Sequence, residues 1–353
     1  MMQFVPCCCI MILKDGEMQV TSKERVFRTL DFDSPDRIPV DIWTLPIVDK
    51  VFGSALTDMV QERDIDIFKI PLFDPVMDEH AYEIGRHTDM WGTEWLKLQE
   101  GIIGEPKKCP LADLDAAQIK QYKSPVSILK EHRLEIIGSA APFVKENSNK
   151  FLISGWCGIF ERMQFLRGVE NLYCDIALET DEFFAVRDIA MEYAIESSKI
   201  YSIVEGADGC IVGDDWGSQL SLLISPEAWR KLFKPCYQQL IDIIKSNGKR
   251  VFIHSDGYIL DIYEDWIEMG ADAINSQIWC MGVENVAAAT RSRITLWGEL
   301  SRQEIMPHGT PDDVQRAIDT MKKHLWNNGG LIGQFEVNKD VPLENIKVGL
   351  FGW

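Results

Sequence analysis

The stretch Gly248 to Gln277, GKRVFIHSDGYILDIYEDWIEMGADAINSQ, decides the predicted fold of this chain. A short apolar run at 249–253 has the length and composition of a buried strand, and a second such run lies at 271–274. The amphipathic segment 258–269 between them is typical of a helix. The three pieces form one β-α-β unit, which predicts a parallel sheet.

Polar residues follow both strands of this unit, directly where each strand ends. His254 and Asp256 come after the first strand, and Asn275 and Gln277 come after the second. In parallel α/β proteins, ligands bind at the carboxyl ends of the strands. We therefore expect these side chains at the functional site, with Asn275 and Gln277 contacting the substrate.

The rest of the chain continues the alternation of strand and helix. Eight strand-like runs, each followed by a helical pattern, predict the α/β class and a single (β/α)8 TIM barrel. An open, doubly wound sheet is the competing architecture, but no glycine-rich dinucleotide motif follows the first strand. The predicted strands are 37–43, 65–72, 151–154, 208–212, 249–253, 271–274, 293–297 and 329–333.

Two segments depart from the barrel pattern. Residues 1–20 are interpreted as an N-terminal extension before a natural start near Met18, with disorder as one option. A signal-like role is the alternative, although the apolar run lacks a basic region and is too short to span a bilayer. Thr21 has the spacing of a helix cap, so the barrel domain 21–353 opens with a helix. Residues 77–149 lose a regular period and are predicted to be an insertion over the barrel mouth.

Charge and cysteine usage exclude several classes of protein. The 353 residues include 55 acidic and 36 basic side chains, which gives a formal net charge of -19. Such a chain repels nucleic acid and anionic membrane surfaces unless basic residues cluster locally, and the sequence has no basic cluster. The nine cysteines form no CxxC pair, which predicts reduced thiols and a cytoplasmic location.

His254 and Asp256 are the strongest candidates for a metal site. Only one residue separates them, so on an extended strand end both side chains can face one ion. A borderline cation such as zinc accepts imidazole nitrogen and carboxylate oxygen, and Glu336, Glu299 or Cys280 would complete the ligand set. A hydrogen-bonded structural pair is the alternative interpretation of the same spacing.

The most polar strand end is GDDWGSQ at 213–219. Either Asp214 or Asp215 is predicted to hydrogen-bond a ligand or to act as a general acid or base, with Gln219 orienting it. Adjacent acidic residues also cap helices or lie in solvated loops. Both interpretations stay open at the level of sequence.

Tryptophans are concentrated at the same strand ends. A single tryptophan is usually part of a core, but several at one mouth favour a flat, largely apolar pocket for an aromatic or macrocyclic ligand. The residues in question are Trp43, Trp156, Trp216, Trp279 and Trp297. All except Trp279 are predicted to contact the substrate.

Seven motifs occur in order along the chain from residue 21 onwards. They are TSKERVFRTLDFDSPDRIPV at 21–40, TDMWGTEW at 88–95, GDDWGSQ at 213–219, HSDG at 254–257, MGADAIN at 269–275, LWGEL at 296–300 and DVPLENI at 340–346. With these motifs the chain resembles the uroporphyrinogen decarboxylase superfamily. Its two well-known branches decarboxylate uroporphyrinogen III or transfer methyl groups between a corrinoid protein and a thiol or folate acceptor.

The sequence departs from the pattern of both branches. The decarboxylases hold their substrate with a short arginine-rich motif, but the matching region here, TLPIVDKVFG at 44–53, has no arginine. An acidic mouth also suits a substrate with many carboxylates poorly. The thiol-using methyltransferases hold zinc with a His-x-Cys pair and a later cysteine. Here the resemblance implies a metal site with oxygen ligands, because Asp256 replaces the first cysteine and 334–336, which includes Glu336, falls at the second.

The resemblance therefore implies a methyltransferase that acts on a small-molecule substrate. A partner corrinoid protein would carry methylcobamide, and a divalent metal, with zinc as first choice, would assist the transfer. Uroporphyrinogen III decarboxylation and non-catalytic binding of a tetrapyrrole or corrinoid are the alternatives. The sequence leaves the oligomeric state open, and a homodimer is one option.

Overall fold

The structure is a computed structural model, and it describes residues 11–12, 18–77, 80, 82–101 and 104–353. Eight parallel strands form a nearly closed barrel that helices surround, which confirms the predicted (β/α)8 TIM barrel. Each predicted strand is present, with ends shifted by a few residues. In chain order the barrel strands are β1 Val40–Thr44, β2 Ile67–Lys69, β3 Phe151–Cys157, β4 Gly209–Gly213, β5 Arg250–Ser255, β6 Ala273–Ser276, β7 Thr295–Trp297 and β8 Leu331–Val337.

Helices follow every barrel strand. In chain order, and within the described residues, they are α1 Ser22–Leu30, α2 Pro46–Phe52, α3 Ser54–Arg63, α4 Ala116–Ile119, α5 Val126–Glu131, α6 Arg133–Ser139, α7 Ala141–Glu146, α8 Phe160–Arg167, α9 Val169–Leu178, α10 Asp181–Tyr201, α11 Pro226–Leu232, α12 Lys234–Ser246, α13 Tyr263–Glu268, α14 Ile278–Met281, α15 Val283–Thr290, α16 Ile305–His308, α17 Pro311–Leu325 and α18 Leu343–Phe351. A short 3-10 helix, Leu260–Ile262, precedes α13. The predicted cap is confirmed, since the Glu24 N–H donates to Thr21 Oγ1 at 3.1 Å at the start of α1.

The barrel has one seam where neighbouring strands do not pair as a ladder. The strand order is β1-β8-β7-β6-β5-β4-β3-β2, so β1 has β8 as its ladder partner, with Asp41 opposite Gln334. Between β1 and β2, the Asp66 N–H donates to the Val40 carbonyl at 2.9 Å. The Asp66 carboxylate in turn accepts from the Val40 N–H at 2.8 Å. Asp66 therefore joins the two strands at the seam.

The Asp66 carboxylate is the centre of a buried ion-pair cluster at this seam. Arg25 of α1 donates to it at 2.7 Å, and Arg37 donates to it at 2.7 and 3.0 Å. Arg25 also donates to Asp36 at 2.7 Å. Burial alone would raise the pKa of Asp66, but the two guanidinium groups and the Val40 N–H hold it below its ordinary value. The cluster fastens α1 to the first two barrel strands.

Side chains alternate between the barrel axis and the helices. The inward-facing residues include Phe151, Ile153, Ile211, Phe252, Ala273, Trp297 and Ile332, and they pack with Val26 and Leu30 of α1 at the amino-terminal end of the barrel. Neighbouring residues such as Val251 and Ile253 face outwards into the larger core beneath the helices. Because side chains alternate along a strand, the residues two positions after Phe252 and Ala273 also point inwards. They lie one layer closer to the carboxyl-terminal end of the barrel. These residues are His254 and Asn275.

The segment 77–149, which the sequence predicts to be an insertion, contains a small antiparallel sheet and four helices within its described part. Its strands are Gly85–Thr88, Glu94–Lys97 and Glu105–Lys108. Thr93 Oγ1 donates to the Phe165 carbonyl in α8 at 3.1 Å, which fastens the sheet to the helix after β3. Tyr82 lines the cavity at the mouth, and helices α4 to α6 pack against α10. The insertion thus borders the mouth and continues along the outer helices.

The N-terminal segment is described only in part. Met11–Ile12 pairs antiparallel with Met18–Gln19. The other residues of the predicted extension, except for Val20, lie outside the described residues, so its disorder and the natural start near Met18 stay predictions. Among the described residues, no helix combines the length and the apolar character needed to cross a membrane.

Candidate functional site

A layer of polar side chains closes the carboxyl-terminal end of the barrel axis. Asn275 of β6 lies at its centre and is fully buried. Its Nδ2 donates to the Trp297 carbonyl at 2.6 Å and to Gln334 Oε1 at 3.0 Å. Because both partners are acceptors, the amide nitrogen must face them, and the Asn275 oxygen then faces His254. This layer forms the floor of the mouth.

Above this floor lies a cavity of about 680 Å³, which is large enough for a small molecule. Charged and aromatic side chains dominate its walls, whereas the tryptophans in the sequence predicted a largely apolar pocket. Its lining residues are Asp41, Ile42, Trp43, Thr44, Leu45, Ile65, Ile67, Phe68, Lys69, Tyr82, Trp156, Glu161, Asp215, His254, Asp256, Arg302 and Glu336.

Asp215, His254 and Asp256 form a cluster with the geometry of a metal site. Each places one ligand atom within 4.8 Å of the other two. His254 Nε2 lies 3.4 Å from Asp215 Oδ1 and 3.7 Å from Asp256 Oδ1. One imidazole nitrogen and two carboxylate oxygens are a ligand set that suits zinc. The predicted pair of His254 and Asp256 is therefore joined by Asp215, whereas Glu336 lies outside the cluster among the described residues.

The floor fixes which nitrogen of His254 is available to a ligand. His254 Nδ1 lies 2.7 Å from Asn275 Oδ1, and this oxygen can only accept. Nδ1 therefore carries a hydrogen, and in the neutral ring Nε2 keeps its lone pair. Nε2 faces Asp215 and Asp256. A second hydrogen-bonded partner of this kind is the usual support of a metal-binding histidine.

The carboxylates of the cluster also set its charge. Burial alone would lower the pKa of His254, but Asp215 and Asp256 outweigh burial and raise that pKa above its ordinary value. Burial would raise the pKa of Asp215, whereas its contact with His254 and the Asp256 N–H at 2.9 Å lower it. Asp215 and Asp256 thus favour a cation beside Nε2, and without a bound ion that cation is the proton on His254.

Arg302 is the main counter-charge at the mouth. Its guanidinium donates to Asp256, and Nη1 donates to Glu336 Oε2 at 2.6 Å. Its Nε lies 3.6 Å from Glu299 Oε1. Burial would lower the pKa of Arg302, but these three acids raise it. Arg302 therefore stays charged and accounts for the position of Glu336, which pairs with a guanidinium instead of joining the metal cluster.

Two further acids at the mouth favour the neutral form. Burial, together with Asp215, raises the pKa of Glu161 to about 8. Burial likewise raises the pKa of Glu299 well above its ordinary value, although Arg302 opposes the shift. Crowded carboxylates that cannot all ionise in a partly dry cleft behave in this way. Both residues are thus proton donors by environment, and Glu161 is the one of the two that lines the cavity.

An aromatic wall, made by Trp43 of β1 and Trp156 of β3, lies beside His254. The ring centroids of Trp43 and Trp156 lie 6.2 Å apart, and those of Trp156 and His254 lie 5.0 Å apart. Trp156 turns inward at an irregularity in β3, where Gly155 has a φ of +60°. A side chain on Gly213 would come within 2.5 Å of the Trp156 ring, so glycine is required there. The sequence prediction that these tryptophans line the mouth agrees with this placement.

Asp214 has a structural position, in contrast to its neighbour Asp215. Its carboxylate accepts from the Ile159 N–H at 2.7 Å, the Glu161 N–H at 2.9 Å and the Tyr237 hydroxyl at 2.7 Å. Both oxygens are occupied, and burial raises the pKa of Asp214 to about 6. Asp214 therefore holds the start of α8, which is the capping role that the sequence left open, and Asp215 faces the cavity.

Two predicted substrate contacts lie elsewhere. Trp216 is fully buried, stacks on Phe160 with centroids 3.9 Å apart, and donates to the Tyr237 hydroxyl at 2.9 Å. Trp297 is also fully buried, below Trp43, and donates to Asp41 at 3.0 Å. Trp216 follows β4 where the chain turns away from the barrel axis, so its ring packs under the helices. Trp297 points towards the axis, but it lies one layer below the cavity. Neither residue lines the cavity, so this placement does not support their predicted contact with the substrate, which stays a prediction.

The two predicted glutamines lie beside the cavity lining. The side-chain amides of Gln219 and Gln277 are in hydrogen-bond contact, and the Gln277 amide also contacts Arg302. Gln277 is buried and does not line the cavity. Gln219 does not touch either aspartate of its motif, in contrast to the predicted orienting role, but supports Gln277.

Arg302, Lys69 and Glu161 are charged residues of the cavity that the sequence analysis did not single out. Arg302 follows the acidic strand end LWGEL by two residues, and a basic residue so close to buried acids is a usable signal. Lys69 interrupts the apolar run 65–72, which is a second signal, because a lysine inside a strand needs a partner or solvent. Glu161 lies on a helix after β3, and no pattern in the sequence distinguishes it from an ordinary surface acid.

Comparison with known proteins places this barrel in a family. The family profile described as uroporphyrinogen decarboxylase (URO-D) matches residues 101–349, which is more than half of the chain. The chain belongs to the uroporphyrinogen decarboxylase family. Among curated proteins, no sequence matches it.

Solved structures share the fold at low sequence identity. A methyltransferase from Methanosarcina mazei superposes with a TM-score of 0.70 and 16% identity, over 95% of this chain and 98% of that one. A 3-keto-D-glucoside 4-epimerase from E. coli gives a TM-score of 0.38 and 15% identity, over 64% of this chain and 85% of that one. The first likeness supports the barrel architecture over the full length, and the second is too distant to add to it.

Proposed function

We propose that this member of the uroporphyrinogen decarboxylase family is a methyltransferase that moves a methyl group between a corrinoid protein and a small-molecule acceptor. The observation that carries the proposal is the cluster of Asp215, His254 and Asp256 at the floor of the mouth. The sequence motifs supply the reaction class, and the shared fold of the M. mazei methyltransferase is compatible with it. A cytoplasmic location and a homodimer belong to the same proposal.

The residues of the cluster would hold a divalent metal, with zinc as first choice. The metal would supply a Lewis acid that lowers the pKa of a bound acceptor. Asn275 accepts the hydrogen on Nδ1 of His254, so the neutral ring would bind the metal through Nε2. Arg302 holds the second carboxylate oxygen of Asp256 and leaves Oδ1 directed at His254. Glu161, which favours its protonated form, is placed to give a proton to a departing group.

The charge of the mouth disfavours the decarboxylase alternative. Among the described lining residues, the fixed cations are Lys69 and Arg302, and Arg302 is already engaged by three acids. A substrate with many carboxylates would meet Asp215, Asp256 and uncompensated negative charge. Formation of coproporphyrinogen from uroporphyrinogen III by the purified protein would nevertheless replace the proposal with that activity.

The first test is the metal content of the purified full chain after zinc loading and dialysis, measured by mass spectrometry. Near-stoichiometric zinc is expected in the wild type, and loss of zinc is expected in His254→Ala and Asp256→Ala. Asp242→Ala, which changes an exposed acid on α12, is the matched control and should keep its zinc. Full zinc occupancy in His254→Ala would remove the basis of the assignment.

The second test is transfer itself. Methylcobalamin serves as a probe for the corrinoid partner, and demethylation is followed by the change in its visible spectrum with thiol and folate acceptors. Transfer that is lost in Asp215→Asn but kept in Asp242→Ala is the expected result. Tight corrinoid binding without transfer to any acceptor would favour a non-catalytic binding barrel.

A further inference from the structure

The two indole rings of the aromatic wall can offer a ligand only their faces. Trp43 Nε1 donates to Asp41 Oδ2 at 2.9 Å, and Trp156 Nε1 donates to the Gly213 carbonyl at 3.2 Å. Both indole N–H groups are therefore occupied within the protein. A ligand against this wall receives no hydrogen bond from it. It is recognised through dispersion and through the partial negative charge on the faces of the indole π-systems.

An ammonium group already occupies this wall. Lys69 Nζ lies 3.6 Å from the centroid of the Trp43 ring and 5.7 Å from that of Trp156. Among the described residues, this ammonium makes no hydrogen bond and no ion pair at contact distance, so the ring faces are its nearest partners. Its pKa is lowered by burial in the cavity, although Asp41 and Glu336 oppose the shift. The wall thus selects a cation even without hydrogen bonds.

The cavity carries more acidic than basic side chains. Among the described lining residues, five are Asp or Glu, whereas Lys69 and Arg302 are the lysine and arginine. Arg302 already donates to Asp256 and Glu336. The Lys69 ammonium instead contacts the ring faces. A monovalent organic cation that displaces the flexible lysine chain would therefore bring the same charge to the same place.

We infer that the methyl-bearing ligand of this cavity is a small N-methylated ammonium cation, held against the faces of Trp43 and Trp156 in the place of the Lys69 ammonium. The inference rests on the proposed methyl transfer for its reaction, taken in the reverse direction with the small molecule as methyl donor and the corrinoid as acceptor. The binding itself does not depend on that reaction. Transfer would break the bond between nitrogen and the methyl carbon, and the electron pair would stay on nitrogen. The methyl carbon would bond to the nucleophilic cobalt of a reduced corrinoid on the partner protein. The product is a neutral amine, which loses its attraction to the ring faces and leaves.

The test compares choline with 3,3-dimethylbutan-1-ol, its uncharged isostere, by isothermal titration of the full chain at constant ionic strength. Choline is expected to bind at least about tenfold more tightly than the isostere, as a desolvated cation–π contact predicts. Trp156→Leu, at the half-exposed rim of the wall, should weaken choline binding on the order of tenfold. Circular dichroism checks that this variant folds.

The variant Lys69→Met tests whether the Lys69 ammonium competes with the ligand for the aromatic wall. Removal of the competing ammonium should tighten choline binding about fivefold, because a like charge a few ångströms away is lost. Lys145→Met, on an exposed position of α7, is the matched control and should bind choline like the wild type. Equal binding of choline and the isostere, absence of choline binding, or weaker binding in Lys69→Met would overturn the inference. Zinc content is measured on the same preparations. If the chain binds choline but holds no zinc, the metal proposal fails while the inference about the ammonium ligand stands.

Discussion

Replacement of Asp66 by Asn tests how the barrel is closed. The change keeps the shape and one acceptor for the Val40 N–H, but removes the charge that Arg25 and Arg37 share. Loss of one partner in a buried ion pair costs about 3–5 kcal/mol. The lower end applies here, because Arg25 keeps Asp36 and Arg37 is partly exposed. We therefore expect a loss of about 3 kcal/mol.

For a chain of this length, this loss corresponds to a drop in melting temperature of about 4 °C. Circular dichroism at pH 7 measures the melting temperature. Asp36→Asn is the matched control, since Asp36 also binds Arg25 but is far more exposed, and its loss should cost at most about 1 kcal/mol. Equal melting temperatures for the two variants would show that Asp66 does not hold the seam.

The pH dependence gives an independent check of the same residue. The folded state lowers the pKa of Asp66, so its contribution to stability is complete above the ordinary pKa of an aspartate, about 4. The contribution is lost as the pH falls through the lower, folded-state value. The gap in stability between wild type and Asp66→Asn should thus be constant from about pH 6 to 8 and narrow below about pH 4. A gap that widens on acidification contradicts the assigned direction.

Further changes separate the roles of neighbouring residues. Asn275→Leu removes the acceptor that fixes the ring of His254 and should weaken zinc binding about 10- to 100-fold, measured by competition with a chelating dye. Asp214→Asn should lower stability by about 1–3 kcal/mol in a thermal melt and keep zinc, whereas Asp215→Asn should lose zinc. Glu299→Gln should shift the melting temperature at pH 7 by no more than about 2 °C, because burial already favours the neutral acid; a larger drop would indicate an ionised Glu299.

The sequence was a sufficient guide to the barrel, because strand and helix periods and strand-end polarity are local signals. It also located His254, Asp256 and Asn275, since alternation along a strand determines which residues follow the inward apolar ones. The sequence could not show which of Asp214 and Asp215 faces the cavity. Adjacent residues in a loop point in directions that only the packing of α8 and Tyr237 determines.

The different positions of the predicted tryptophans have the same origin. Trp216 and Trp297 share the strand-end position of Trp43, but the depth of a side chain along the barrel axis depends on strand register and loop direction. Arg302 and Glu336 show a second limit. Their pairing arises between loops that are distant in sequence, and it removed a predicted ligand from the metal cluster. Long-range pairing of this kind leaves no periodic trace in a single sequence.

The pairing of β1 with β8 has a consequence for synthesis on the ribosome. β1 carries Asp41 and Trp43 and is made early, but its ladder partner lies close to the C-terminus. Until residues 331–337 have left the ribosome, β1 lacks the strand with which it forms its hydrogen-bonded ladder. Its unpaired edge is then open to other chains. The cavity wall and floor therefore form only at the end of translation, and a chain truncated before β8 should depend on chaperones to stay out of aggregates.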